Sequence, residues 1–184
     1  MQKVFVFGST GMLGRYVTSY LKKNNRFDVI GVTRSEIDAY SVDTDFIIKF
    51  LQGNDVSISS DDVVINCMGI IPQSKNVNDP SNRAYFRINS LFPNMLATAC
   101  KITCTKYIHI TTDCVFSGKK GNSYIETDIP DGKGFYARTK ALGEVLDGHH
   151  LTLRTSVVGP ELKSDGEELF HWFMSQSDDI LGFT

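Results

Sequence analysis

Apolar and polar positions along the chain fall into two alternating rhythms. Short, nearly uninterrupted runs (KVFVFG, FDVIGVT, DDVVINCMG, KYIHITTDCVF and LTLRTSVVG) carry the β-branched and aromatic residues that suit buried strands. Between them lie stretches with helical spacing: GRYVTSYLKK, DTDFIIKFLQ, a long one from about Pro80 to Lys101, another from about Phe135 to Leu146, and GEELFHWFMSQ. Strands alternating with helices predict an α/β architecture, a doubly wound parallel sheet with helices on both faces. The segment SGKKGNSYIETDIPDGKG, rich in Gly, Asp and Lys, breaks the rhythm and reads as a surface loop of the kind that carries function.

Composition narrows the class. With 184 residues, 41% of them apolar, and a formal net charge of -2, the chain can bury one core and invites neither nucleic acid nor a membrane surface. No apolar run is long enough to span a bilayer, and the amino terminus lacks the pattern of a secretory signal, so a cytoplasmic location is expected. Cys67, Cys100, Cys104 and Cys114 form no C-x-x-C pair and are expected to be reduced, buried thiols. Cys104, His109 and Cys114 lack the paired short spacing of structural zinc sites, and no metal is expected.

Candidate chemistry begins where the first strand stops, in VFVFGSTGMLGR. Gly8, Gly11 and Gly14 fall at the first strand-to-helix turn, the place where a Rossmann-like fold lets its backbone approach the pyrophosphate of a dinucleotide. The spacing is G-x-x-G-x-x-G rather than the dehydrogenase G-x-G-x-x-G, so an ordinary glycine-rich turn stays open on these residues alone. At the end of the second strand, where NAD-binding sites place an acid, stand Thr33, Arg34 and Ser35. An arginine attracts a 2′-phosphate and favours NADP(H) over NAD(H), unless Arg34 is merely a solvated loop residue. In YARTK, Tyr136 and Lys140 are four residues apart, which on a helix puts phenol and ammonium on one face. The nearby cation favours the phenolate and makes Tyr136 a usable proton donor. Thr112, at the end of a strand 24 residues earlier, is placed to bond the same reacting oxygen.

The ordered set GSTGMLG, NCMG, HITTDCVFSG, YIETDIP, YARTKALGE and LRTSVVG resembles the extended short-chain dehydrogenase/reductase superfamily. Within it the likeness is to the dTDP-4-dehydrorhamnose reductases and related sugar-nucleotide reductases, over nearly the whole chain. That resemblance implies NAD(P)-dependent reduction of the 4-keto group of a nucleotide-linked deoxysugar. It implies that Gly8, Thr10, Gly11, Met12, Leu13 and Gly14 hold the pyrophosphate, that Asp38 lies near the adenine, and that Cys67, Met68 and Gly69 line the cofactor. Thr112, Tyr136 and Lys140 are the implied catalytic set, with Lys140 on the nicotinamide ribose and Thr111 supporting from behind. Thr112, Asp113, Tyr136 and Arg154 are the implied substrate contacts. Cys114 stands where the family usually has an aromatic residue, which puts local packing in question. Two relatives of other function remain in view. An epimerase or dehydratase would use tightly held NAD and a carboxylate near Thr112, where Asp113 stands, although the following CVF matches the reductases better. A regulatory subunit like that of methionine adenosyltransferase would bind NADP without turnover, and the intact Thr, Tyr and Lys argue against it.

Two further expectations concern backbone and extent. Pro93 deprives the carbonyl of Asn89 of its helical hydrogen bond, and the freed oxygen would hold a water beside Lys140, unless Pro93 simply begins a new helix. Residues 1–160 are expected to form the cofactor-binding domain and 161–184 the start of a truncated substrate-binding part. Leu169, Phe170, Trp172 and Phe173 there ask for apolar cover. Expected partners are a nucleotide sugar and a second copy of the chain in a homodimer.

Overall fold

The computed structural model describes residues 1–53, 58–72, 82–161, 166 and 169–177. Five strands make one sheet in the order β2-β1-β3-β4-β5, every neighbouring pair parallel: β1 Gln2–Phe7, β2 Phe27–Val32, β3 Val63–Asn66, β4 Lys106–Thr112 and β5 Leu151–Thr155. β1 lies inside the sheet, paired on both edges, and its four consecutive apolar residues, Val4 to Phe7, are buried on both faces. The register sets Val4 beside Val29 and Val63, Asn66 beside His109, and Thr111 beside Arg154.

The helices are α1 Met12–Lys23, α2 Thr44–Gln52, α3 Arg83–Tyr85 running through a π-helical turn Phe86–Leu91 into α4 Phe92–Ile102, α5 Phe135–Leu142 and α6 Leu169–Met174. α2 starts on Asp43, whose carboxylate accepts from the amide of Phe46 at 2.8 Å, and stops at Gly53 in a positive-φ conformation (53°). Right-handed crossovers carry the chain from β1 leftward to β2 and then rightward to β3, β4 and β5. That places α1 on one face and α2, α4 and α5 on the other. The core lies on the second face, where Phe5, Phe7, Val64 and Tyr107 meet Ile47 and Leu51 of α2 and Phe92, Leu96 and Cys100 of α4. Helices do cover both faces, unequally: Leu151 and Leu153 on the edge strand β5 stay exposed.

Two corrections concern the sequence reading. Cys100 is buried and Cys67 half-buried, but Cys104 and Cys114 are exposed, because both sit in turns just past an element's end. α5 stops at Leu142 rather than Leu146, with Gly143 as its C-cap. Among the described residues no helix is long and apolar enough to cross a membrane. Residues 178–184 lie outside the described residues, and Leu169, Trp172 and Phe173 of α6 are exposed.

Candidate active site at the carboxyl ends of the strands

Strand order reverses between β1 and β3, and the crevice outside the carboxyl ends of strands at such a reversal is where open α/β sheets take their ligands. Gly8 turns the chain with φ 79°, its amide donating to Val32 O at 3.0 Å. A Cβ on Gly8 would stand 2.8 Å from Met68 Cγ, and one on Gly14 would stand 2.1 Å from Gly8 O. Gly11 closes the turn by donating to Gly8 O at 3.0 Å and is the N-cap of α1, with no side chain capping the helix. The first amides of α1, at Met12, Leu13 and Gly14, are thereby left for an anion beside exposed Thr10. These residues fit a dinucleotide pyrophosphate, since the approach is lined by main chain where side chains would block it.

At the end of β2, Arg34 and Asp38, read separately from the sequence, form an exposed pair with Nε 3.8 Å from Oδ1. Asp38 also accepts from the amide of Tyr40 at 3.1 Å, so it holds a turn. The carboxylate of Glu36 accepts from the hydroxyl and amide of Thr33, and those bonds lower its pKa. Glu36 therefore stays charged at the turn after β2, a feature the sequence reading missed.

Across the crevice the floor is side-chain polar. Asn89 clamps the chain after β3, with Oδ1 accepting from Ile70 N at 2.8 Å and Nδ2 donating to Ile70 O at 3.0 Å. Ser90 Oγ donates to Thr139 O at 2.7 Å, tying the π turn to α5. Consecutive Asn89 and Ser90 reach β3 and α5 together because the π turn re-aims the helix there. A Cβ at Gly69 would lie 3.6 Å from both Asn89 Oδ1 and Lys140 Nζ, so these groups converge on that residue. A Cβ on Gly143, the C-cap of α5, would stand 1.9 Å from the Asn89 carbonyl oxygen, so main chain packs closely on that oxygen, while the Asn89 side chain converges with Lys140 at Gly69. Pro93 lies in the first turn of α4 without breaking the helix.

β4 delivers Thr112 to the crevice, and a 3-10 turn, Asp113–Val115, follows. Thr112 Oγ1 accepts from Cys114 N at 3.2 Å and lies 3.3 Å from Asp113 Oδ1. Tyr136 is half-buried in the first turn of α5, and Lys140 is buried one turn on, donating to Ile110 O at 3.2 Å. Burial pushes the Lys140 pKa down to about 8, against the pull of the Glu144 carboxylate. Cys67 itself is pushed up to about 12 by burial and stays a thiol.

Arg154 takes another place than a free substrate contact. Its Nε and one terminal nitrogen donate to the two oxygens of Glu144, each at 2.8 Å, and the other donates to Glu126 O at 3.1 Å. Its guanidinium also stacks 4.8 Å above the centre of the Phe116 ring. It forms a wall of a groove of about 930 Å³ along β5, which Asp113, Cys114, Leu146 and Leu153 also line. The sequence reading gave no role to Asn66 or Glu144 and weighed His109 only as a metal ligand. For Asn66 and His109 the signal was a polar residue at an inward strand position, in VVIN and KYIHI.

The model of the family described as RmlD substrate binding domain matches residues 1–176. A dTDP-4-dehydrorhamnose reductase of Mycolicibacterium smegmatis is 31% identical over 144 residues, 78% of this chain and 40% of that protein. One from Aggregatibacter actinomycetemcomitans is 29% identical over 160 residues, 85% of this chain and 51% of that protein. The crystal structure of a dTDP-4-dehydrorhamnose reductase from Clostridium acetobutylicum superposes with a TM-score of 0.70 at 25% identity, covering 88% of this chain and 56% of that one. The chain thus spans about half the length of the curated relatives it matches.

Proposed function

Because this chain belongs to the family described as RmlD substrate binding domain, we propose that it carries the cofactor-binding and proton-donating part of a sugar-nucleotide reductase. The reaction is NADPH-dependent reduction of the 4-keto group of a dTDP-linked deoxysugar; the relatives' names carry the reduction of dTDP-4-dehydrorhamnose. The observation that supports it best is the buried Lys140 on α5, one turn beyond Tyr136 and beside the end of β4 that presents Thr112.

Residues 1–160 form the cofactor-binding part in this reading, and the chain from 161 onward leads into the substrate-binding part. Gly8, Gly11 and Gly14, with the first amides of α1, hold the pyrophosphate; Arg34 meets a 2′-phosphate; Met68, Gly69, Asn89 and Thr111 line the nicotinamide side. When bound, NADPH supplies the hydride. Thr112 Oγ1 and the phenol of Tyr136 take hold of the sugar carbonyl oxygen, and Tyr136 gives its proton to that oxygen as negative charge grows there. Lys140 holds the ribose and favours the phenolate left behind. Asp113, beside Thr112 at the mouth of the β5 groove, is positioned for the sugar, whereas Arg154 shapes the groove's wall. A homodimer is the assembly this reading carries.

The test mixes the protein with NADPH and a dTDP-4-keto-6-deoxysugar. Loss of NADPH absorbance with 4-hydroxy product supports the reading, and Tyr136→Phe is expected to lower turnover about a hundredfold or more while NADPH still binds. Redox-neutral conversion of the sugar would replace it with an epimerase or dehydratase, and NADPH binding without turnover with a regulatory role.

A further inference from the structure

Two buried polar groups lie near Lys140: His109, which the proposed reaction does not use, and Thr111, to which it gives only a lining role. His109 is fully buried at the centre of β4, and Thr111, two residues on, is buried on the same face, the one covered by α4 and α5. Among the described residues His109 Nε2 and Thr111 Oγ1 have no hydrogen-bond partner. The residue between them is Ile110, whose carbonyl accepts from Lys140 Nζ at 3.2 Å. The ammonium thus bonds the main chain of the residue that separates the two unpartnered groups, near enough for its charge to act on His109.

The proton on His109 can be assigned from its neighbours. Asn66 Oδ1 accepts from Met68 N at 3.0 Å, which orients the amide and turns Nδ2 toward His109 Nδ1 at 3.2 Å. Nδ1 must then accept, so the ring proton is on Nε2. Burial, and next the charge of Lys140, push the His109 pKa down to about 3, so the ring stays neutral throughout the working pH range. A buried donor without a partner is costly, and a buried water is stable where two to four polar groups surround it.

We propose that His109 and Thr111 hold one ordered internal water between β4 and α5, and that this water accepts a hydrogen bond from Lys140. The water accepts from His109 Nε2–H and Lys140 Nζ–H and donates to Thr111 Oγ1. His109 is thereby a positioning residue for Lys140, acting through the water. The other groups facing Lys140 are Glu144 on its own helix, Cys67 after β3, and the side chain of Asn89 in the π turn. Only the water adds an acceptor from the β4 side besides the Ile110 carbonyl. The ammonium is stabilised where burial would otherwise expel its proton.

The inference builds on the catalytic role given above to Lys140, but its test does not need the reaction. The 13Cε resonance of Lys140 is followed against pH in the wild type and in His109→Leu, His109→Gln, Thr111→Val and Thr111→Ser. Leu and Val remove a polar partner of the water, and the Lys140 titration midpoint is expected to fall by about one pH unit in both. Gln retains a donor near the place of Nε2 and Ser retains the hydroxyl, so both are expected to stay near the wild-type midpoint. Thr111→Val is nearly isosteric, and it decides the matter if His109→Leu does not fold. An unmoved midpoint in Thr111→Val, equal shifts in Val and Ser, or imidazole 15N shifts placing the proton on Nδ1 would each overturn the proposal. Absence of NADPH binding would instead overturn only the reductase reading.

Discussion

Around Gly8 and Gly14 the crevice is walled by main chain, while across the switch point, around Lys140, it is walled by buried polar side chains. The first wall carries no titratable group: its shape comes from a positive-φ glycine and from a turn so close that a methyl group on Gly14 would stand 2.1 Å from a carbonyl oxygen. The second holds an ammonium burdened by burial, a neutral imidazole, a thiol and an ion pair. A wall of backbone is intolerant of volume and indifferent to pH, whereas a wall of buried charge is sensitive to pH and costs stability.

The largest effect is expected from Glu144→Ala. The Glu144 side chain is 1% exposed and Arg154 15%, so truncation leaves a largely buried guanidinium without its partner, destabilising by about 3–5 kcal/mol. Urea unfolding measures it; a loss below about 1 kcal/mol would place the pair among surface ion pairs. Next comes Gly14→Ala, where overpacking of about 1–3 kcal/mol falls on the cradle itself and is expected to weaken NADPH binding up to about a hundredfold. Gly134→Ala, where a Cβ meets nothing within 4 Å, is the control. If the two variants bind alike by calorimetry, the cradle is not where the cofactor lies.

Lys140→Met reverses the sign. The Lys140 pKa is about 8 in the folded chain and 10.5 by its ordinary value, so below pH 8 the buried ammonium costs about 3 kcal/mol. Replacement recovers that amount, less about 1 kcal/mol for the bond to Ile110, and raises the melting temperature by several degrees at pH 7. Between pH 8 and 10.5 the unfolded chain keeps a proton that the folded chain has lost, so wild-type stability rises with pH across that window and the variant's does not. Parallel pH curves for the two proteins would remove Lys140 as the source of the cost. The smallest effect belongs to Arg34→Ala: this exposed residue is expected to contribute about fivefold to NADPH affinity, nothing to NADH, and less at high salt. Equal losses for both cofactors would take Arg34 out of the 2′-phosphate site.

What could be read from the sequence was local. The buried run of β1, the glycine turn after it, the four-residue spacing of Tyr136 and Lys140 and the alternation of strands with helices all show within a dozen residues, because strand and helix periodicity are properties of neighbouring positions. The exposed loop after Phe116 was legible for the same reason, though not that Asp131 folds it back by accepting from Ser117 N at 2.7 Å. Register and crossover decided the rest. Asn66 meets His109 only because β3 and β4 pair with those residues abreast, and Arg154 is taken by Glu144 only because β5 runs beside the end of α5. The proline that the sequence displayed plainly left two readings open, a carbonyl of Asn89 freed for a water or a helix start at Pro93; that Gly143 packs on that carbonyl while Pro93 stands in the first turn of α4 shows only in the fold. A residue's own chemistry is written in the chain, but which partner meets its polar atoms depends on contacts across tens of residues, and those exist only once the sheet has closed.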